Sequence, residues 1–253
     1  MRLPRRLRTG EEATLVEHLD ELRGRILVCL AALAVGCVVG YVFHHELLHW
    51  LNAPLPHRLK PTTFGVAEPF LISIKLSLWA GFALALPVIL WQTWSFLSPA
   101  VDEHAQRVVI GAVVIATVLL ICGVAFGYFL ALPAAIHYLT NYDKDEFRTA
   151  LAAKSFYSFE LMVLAAVGLV FELPIIVVAL TTIGILSTRQ LRKNRRIGYF
   201  IVCCVAVALP GIDPVTTAIE AIPLVVLYEA SIWVSVLMER RRERAQVPGA
   251  ATG

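Results

Sequence analysis

The candidate functional groups of this sequence are carboxylates that lie inside or beside long apolar runs. Glu172 lies near the middle of the apolar run 161–186, and Pro174 follows two positions later. An ionisable side chain at the centre of a bilayer costs about 2.5–3.5 kcal/mol on insertion scales, and the proline leaves the carbonyl of Val170 without its helical donor. These residues predict either a neutral Glu bonded to neighbouring backbone, or a polar contact for another membrane segment or a hydrated depression.

Glu229 and Asp213 belong to the last apolar stretch of the chain. Glu229 lies close to its far end, where a carboxyl group could reach the membrane interface or serve helix packing. Asp213 stands between Gly211 and Pro214 in a segment that cannot continue a helix, so it is predicted to be a turn residue.

A further acidic site precedes the first apolar run. Glu17 and Glu21 lie one helical turn apart, beside an apolar stripe formed by Leu15, Leu19, Leu22 and Ile26. The two acids predict either a solvated face, with Glu21 paired to Arg25 at i,i+4, or an acidic dock for a basic peptide. Hydrogen bonds between a carboxylate and Arg can be bidentate and contribute about 1.5–3 kcal/mol each.

The elements that position these acids are membrane-spanning helices. Of the 253 residues, 58% are hydrophobic and 16% are charged, whereas soluble domains carry about 25% charged residues. A soluble chain of this length could not bury so much apolar surface in one core. The composition therefore argues against a soluble enzyme, a disordered protein and a nucleic-acid binder.

A helix needs roughly 20 apolar residues to cross the bilayer core. By this measure the sequence predicts an all-α polytopic membrane protein with six transmembrane helices in one domain, residues 1–240, followed by a tail, residues 241–253, predicted to be disordered. The predicted spans cover about 26–43, 76–94, 108–132, 161–186, 197–209 and 215–238. The fifth is short, so either the sixth begins soon after the turn at Asp213 or both helices meet a locally thinned bilayer.

The distribution of Lys and Arg predicts the orientation of the helices. Sixteen of the 22 fall in residues 1–25, in the loops after the second and fourth spans, and near the C-terminus, whereas six fall in the other loops. Because basic residues accumulate on the cytoplasmic side, both termini are predicted to be cytoplasmic. Two long loops on the opposite side, about 44–75 and 133–160, are too apolar for flexible linkers and are predicted to form a cap over the bundle.

The cytoplasmic loop between the second and third spans departs from this trend. It contains Asp102 and Glu103 against one base, Arg107. This acidic composition is unusual on the side where basic residues accumulate.

No enzyme site is predicted. The sequence contains no HExxH, GxSxG or glycine-rich phosphate loop, and its five Cys form no metal-ligand pattern. Neither a catalytic residue, a metal nor a cofactor is therefore expected. The alternative function is a small-solute secondary transporter, which would need polar groups across several spans or broken helices in matched halves, whereas the mid-membrane charge here is concentrated at Glu172.

In the order and placement of its motifs, the sequence resembles the TatC family, the core subunits of the bacterial twin-arginine protein translocase. The resemblance covers about residues 14–240. The motifs that carry it are His18-Leu19-Asp20-Glu21-Leu22-Arg23, Ala53-Pro54-Leu55, Glu68-Pro69-Phe70, Pro87-Val88-Ile89-Leu90-Trp91-Gln92 with Trp94, Phe96 and Pro99, Phe171-Glu172-Leu173-Pro174, Leu191-Arg192-Lys193, Asp213-Pro214, Ala221-Ile222-Pro223 and Tyr228-Glu229.

The resemblance implies a glove-like bundle of six helices with a concave face in the bacterial cytoplasmic membrane. It implies recognition of folded cargo through signal peptides with two adjacent arginines, and transport driven by the proton-motive force. The family's signal-binding surface corresponds to Glu21, Arg23 and Phe96. The family often has a Glu directly after the loop histidine, where this chain has Ala105, so Glu103 is assigned to the second arginine contact.

The resemblance also implies residues for partner contact and transport. Pro54 and Asp213 match positions that the family needs for transport. Glu172, with Pro174, matches the membrane-embedded Glu that meets the small partner subunits, and Glu229 belongs to a matching motif in the last span. The implied partners are TatA- and TatB-like single-span proteins, twin-arginine signal peptides and the lipid bilayer, in a homo-oligomeric complex without nucleic acid.

Overall fold

The structure, a computed structural model, describes residues 15–55, 60–97, 105–142, 146, 151–182, 185–210 and 213–246. Within these ranges the chain is helical, apart from loops and an isolated parallel bridge. The helices are α1 (Leu15–Val42), α2 (His44–Asn52), α3 (Glu68–Leu97), α4 (Ala105–Phe126), α5 (Leu132–Asn141), α6 (Ala153–Val170), α7 (Leu173–Thr182), α8 (Thr188–Lys193), α9 (Arg195–Ala208) and α10 (Pro214–Gln246). A π-helical turn, Gly127–Ala131, joins α4 to α5 without a break.

Long apolar helices dominate the described part of the chain. Five helical stretches there are long and apolar enough to cross a membrane, namely Leu19–Val42, Glu68–Thr93, Gly111–Asn141, Ala153–Thr182 and Pro214–Glu239. The predicted fifth span falls on α9, which has 14 residues and is shorter than the roughly 20 that a full crossing needs. A helix satisfies its backbone groups internally, which is why an apolar chain in lipid takes this form.

The chain divides into two compact units. The first comprises residues 1–118 and 150–161, and its main contact joins α1 to α3. A Cβ on Gly36 would lie 2.6 Å from the carbonyl oxygen of Gly81, and a Cβ on Gly81 would lie 2.5 Å from the backbone nitrogen of Cys37. The absence of side chains at both glycines therefore lets the two backbones touch, as at small-residue crossings in membranes.

The two long loops contact each other within this first unit. Thr62 forms the isolated bridge with Ala152, donating its N–H to Leu151 O and accepting from Ala153 N, both at 2.8 Å. The hydroxyl of Tyr157 donates to Asn52 Oδ1 at 2.9 Å. These bonds join the segment after α2 to the start of α6, as a cap made from both loops requires.

The second unit comprises residues 119–149 and 162–253. Its central helix is α10, which contacts α5, α7, α8 and α9. Within the same unit α4 lies close to the end of α6, because a Cβ on Gly123 would lie 3.1 Å from the Cα of Gly168 and 2.8 Å from the side chain of Phe171, which follows α6. Helix α10 continues to Gln246, so residues 241–246 of the predicted tail are helical, and residues 247–253 lie outside the described ranges.

Candidate functional site

Glu21 lies in the second turn of α1, and Arg25 one turn later pairs with it. Arg25 donates to Glu21 Oε1 from Nη2 at 2.6 Å and from Nε at 3.0 Å. The other carboxylate oxygen, Oε2, is buried and has no hydrogen-bond partner among the described residues. The i,i+4 pair expected from the sequence is therefore present, but it occupies one of the two oxygens.

Arg25 also reaches the C-terminal end of α3. Its Nη1 donates to the backbone oxygen of Gln92 at 3.3 Å and to Gln92 Oε1 at 3.2 Å, and its Nη2 donates to the backbone oxygen of Ser95 at 3.0 Å. The structure thus brings Glu21 next to the helix end that carries Phe96, whose side chain is half-buried.

The remaining residues predicted for signal-peptide binding have different placements. Arg23 is exposed on α1, two positions after Glu21. Glu103 lies outside the described residues. The site can accordingly be built only from its α1 part and the end of α3.

Glu172 occupies the junction between α6 and α7. It is 4% exposed, and neither carboxylate oxygen has a hydrogen-bond partner among the described residues. Its backbone oxygen accepts from Ile175 N at 3.1 Å and from Ile176 N at 3.2 Å. The side chain is therefore not bonded to neighbouring backbone, which was the first of the two alternatives that the sequence left open.

Pro174 is the second residue of α7. The first backbone donors of a helix have no partner inside it, so a proline is tolerated at this place. Together with the turn at Phe171 and Glu172, it divides the predicted fourth span into two helices rather than kinking one.

Asp213 starts α10. Its Oδ1 accepts from the backbone N–H of Thr216 at 2.8 Å, while its backbone oxygen accepts from Thr217 N at 3.1 Å and from Thr217 Oγ1 at 2.9 Å. These bonds, with Pro214 in the first helical position, make an N-cap. Asp213 is 2% exposed, so this cap is inaccessible to solvent.

Glu229 links α10 to α9. Its Oε1 accepts from the hydroxyl of Tyr199, and its Oε2 lies 3.5 Å from Nη2 of Arg195. The rings of Tyr199 and Tyr228 meet edge to face, with centroids 5.8 Å apart. Gly198 lies so close to the Tyr228 hydroxyl that any Cβ would collide with it. The carboxyl group thus has internal partners and holds two helices together.

Pro54 lies in the turn after α2 and is half-buried. Its neighbour Leu55 is buried, and the backbone N–H of Leu55 donates to Asn52 O at 3.2 Å. Because Asn52 also accepts from Tyr157, Pro54 belongs to the contact between the two long loops.

Two further buried acids lie in the apolar helices. Glu160 on α6 is fully buried and Glu220 on α10 is 1% exposed, and all four of their carboxylate oxygens have no hydrogen-bond partner among the described residues. Sequence reasoning missed Glu160, because the predicted span began one residue after it. Extending that span back to Ala153, where α6 begins, would have included it.

The arrangement offers carboxylate acceptors for guanidinium, hydroxyl or amide donors. Within the described ranges, no three His, Cys, Asp or Glu side chains converge as a metal ion would require.

Comparison with known proteins gives the family. The family model described as Sec-independent protein translocase protein (TatC) matches residues 17–223. TatCd of Bacillus subtilis is 30% identical over 241 residues, covering 95% of this chain and 99% of the relative, and TatC of Aquifex aeolicus is 33% identical, covering 92% and 98%. Two crystal structures of the twin-arginine translocase receptor TatC also match. The first has a TM-score of 0.75 at 31% identity and covers 86% of this chain and 99% of its own. The second has a TM-score of 0.73 at 32% identity and covers 87% of this chain and 98% of its own. The chain therefore belongs to the TatC family of Sec-independent protein translocase proteins, and it is a multi-pass membrane protein.

Proposed function

We propose that the chain is the signal-peptide receptor of a twin-arginine translocation complex in the bacterial cytoplasmic membrane. It takes part in the export of folded proteins driven by the proton-motive force, and it acts by binding rather than as an enzyme. The observation that carries the proposal is the Glu21 carboxylate, held at the start of the first long apolar helix beside the end of α3. The excess of Lys and Arg near both termini supports a cytoplasmic position for this site.

Recognition of the arginine pair follows from the chemistry of the carboxylate. A guanidinium group presents a planar set of N–H donors that matches two carboxylate oxygens, whereas the ammonium group of Lys is a point charge. Glu21 takes one signal arginine and Glu103 the other. Arg23 and Phe96 flank the site, and Phe96 offers apolar surface to the hydrophobic part of the signal peptide.

TatA- and TatB-like single-span subunits contact the apolar helices in this proposal. Glu172 is the main contact, because a buried carboxyl group without a hydrogen-bond partner among the described residues favours a polar group from a neighbouring helix. Pro174 fixes where α7 begins and hence where Glu172 lies. Asp213 and Glu229 contribute by holding α10 in position, and Pro54 by holding the loops. The active complex contains several copies of the chain.

Binding of synthetic signal peptides tests the receptor function. The full-length protein in lipid nanodiscs is titrated with a fluorescent peptide that contains Arg-Arg or, as the control, Lys-Lys. We expect the Arg-Arg peptide to bind at least about tenfold more tightly, since tenfold corresponds to about 1.4 kcal/mol and one charge-assisted hydrogen bond supplies about that much.

The matched variants are Glu21→Gln and Glu46→Gln. Both remove one carboxylate charge, but Glu46 is exposed on α2 and lies outside the proposed site. Glu21→Gln should lose most of the preference for Arg-Arg and Glu46→Gln should keep it. Equal binding of both peptides by the wild-type protein would refute the receptor function.

Glu172→Gln tests the partner contact separately. The variant should fold and bind signal peptide as the wild-type protein does, because Glu172 belongs to another compact unit of the chain than Glu21. It should co-purify with less of the single-span subunits and export less of a folded twin-arginine precursor. Export at the wild-type rate would contradict the assignment of Glu172.

A further inference from the structure

We infer that Arg25 is the positioning residue of the proposed signal-peptide site. Its guanidinium fixes the Glu21 carboxylate and ties it to the last turns of α3. The N-terminal part of α1 and the C-terminal end of α3 thereby keep one relative placement. This inference rests on the receptor function proposed above. It states that Arg25 is responsible for the preference of that receptor for signal peptides with Arg-Arg over Lys-Lys.

All three guanidinium nitrogens of Arg25 are used. Nε and Nη2 both donate to Glu21 Oε1, Nη1 donates to Gln92, and Nη2 donates to Ser95 O. The side chain is 19% exposed, so it is held inside this set of acceptors. Lys could not make the same contacts, because its ammonium group has no rigid fork that spans acceptors on two helices.

The hydrogen bond from Arg25 to the backbone oxygen of Ser95 lies at the C-terminal end of α3. Helix α3 ends at Leu97, and carbonyl groups in the last turn of a helix lack helical donors. A positive charge there is also favoured by the helix dipole. Arg25 therefore acts as a cap for α3 contributed by α1, and it holds the C-terminal end of α3 beside Glu21.

The bonds from Arg25 to Glu21 determine the orientation of the carboxylate that an incoming arginine contacts. Two N–H donors from Arg25 converge on Oε1 and restrain the carboxylate, while Oε2 is buried and has no hydrogen-bond partner among the described residues. A pre-oriented acceptor binds a donor of matching geometry more tightly, because less side-chain entropy is lost on binding. Without Arg25, the Glu21 carboxylate would lose this restraint, and the preference for Arg over Lys would fall.

The experiment measures peptide affinity and selectivity for four variants in nanodiscs. Arg25→Lys keeps the positive charge and removes the fork, and Arg25→Gln removes both. Thr93→Val is the control, because Thr93 is exposed on the same part of α3 and its hydroxyl donates to Ile89 O within the same helix. We expect both Arg25 variants to bind the Arg-Arg peptide about tenfold more weakly, which is about 1.4 kcal/mol. Their preference for Arg-Arg over Lys-Lys should fall to near one, while Thr93→Val stays at the wild-type values.

The fourth variant, Glu21→Gln combined with Arg25→Gln, separates positioning from a structural role. If Arg25 acts through Glu21, the double variant should bind no more weakly than Glu21→Gln alone, because coupled residues are not additive. An Arg25→Lys protein with unchanged selectivity, or additive losses in the double variant, would overturn the inference. If Arg25→Gln fails to fold, Arg25→Lys decides. A wild-type protein without arginine preference would instead overturn the receptor function, so the two failures are distinguishable.

Discussion

Replacing Asp213 by Ala or by Asn separates its role as a helix cap from its role as a charge. In the structure, Asp213 Oδ1 accepts from the Thr216 N–H at 2.8 Å, and Thr216 is fully buried. Asp213→Ala removes the acceptor and leaves a buried donor unpaired. An N-cap contributes about 1 kcal/mol and an unpaired buried donor costs about 1–3 kcal/mol. We therefore expect Asp213→Ala to lower the free energy of unfolding by about 1–3 kcal/mol.

Asp213→Asn keeps an oxygen in the same place and removes the charge. Since Asn and Asp are similarly effective as N-caps, this variant should lose less than about 0.5 kcal/mol. The assay is thermal unfolding of the purified protein in one detergent, followed by loss of helical circular dichroism. Hydrogen exchange of the Thr216 amide gives a local measure, and this amide should exchange faster in Asp213→Ala alone.

The same two variants test the transport role. If the negative charge is needed, Asp213→Asn folds normally but exports a twin-arginine precursor poorly. If the cap is the whole role, Asp213→Asn exports normally and Asp213→Ala does not. Equal destabilisation by both substitutions would refute the reasoning from the cap, because only one of them removes the acceptor.

Three further predictions concern stability. Gly81→Ala should lower the free energy of unfolding by about 1–3 kcal/mol, because the added methyl group overpacks against α1. A Cβ on Gly111 meets nothing within 4 Å, so Gly111→Ala should raise the free energy of unfolding by up to about 1 kcal/mol. Thermal unfolding of both variants in parallel checks the two signs. Glu160→Leu should raise it by about 1–3 kcal/mol, because the buried carboxyl group has no hydrogen-bond partner among the described residues, and a lower melting temperature would contradict this. Glu229→Gln should cost less than about 1 kcal/mol, because the pair with Arg195 is partly exposed, and this cost should shrink in high salt.

The all-α architecture could be predicted because length and hydropathy constrain a chain in lipid so strongly. The family resemblance was confirmed by the relatives and the crystal structures. The predicted fourth span, 161–186, contained the break between α6 and α7, which Pro174 indicated only as a weakened helix. Sequence could not tell a kink from a new helix, because a proline fits either one.

Less of the candidate site than of the fold could be predicted from the sequence. The pair of Glu21 and Arg25 follows from helical spacing, but the bonds from Arg25 to Gln92 and Ser95 join residues 67 and 70 positions apart. No periodicity within α1 indicates which of its faces meets α3. The internal partners of Glu229 were missed for the same reason, since its bond from Tyr199 joins two helices.

The backbone contact between α1 and α3 has a consequence for biogenesis. Both helices are complete by Leu97, and the contact at Gly36 and Gly81 involves no later residue. Chains form their N-terminal elements first during synthesis, so this crossing can assemble while the ribosome is still making the later spans. The nascent chain would then hold Glu21 and the end of α3 together before α10 exists.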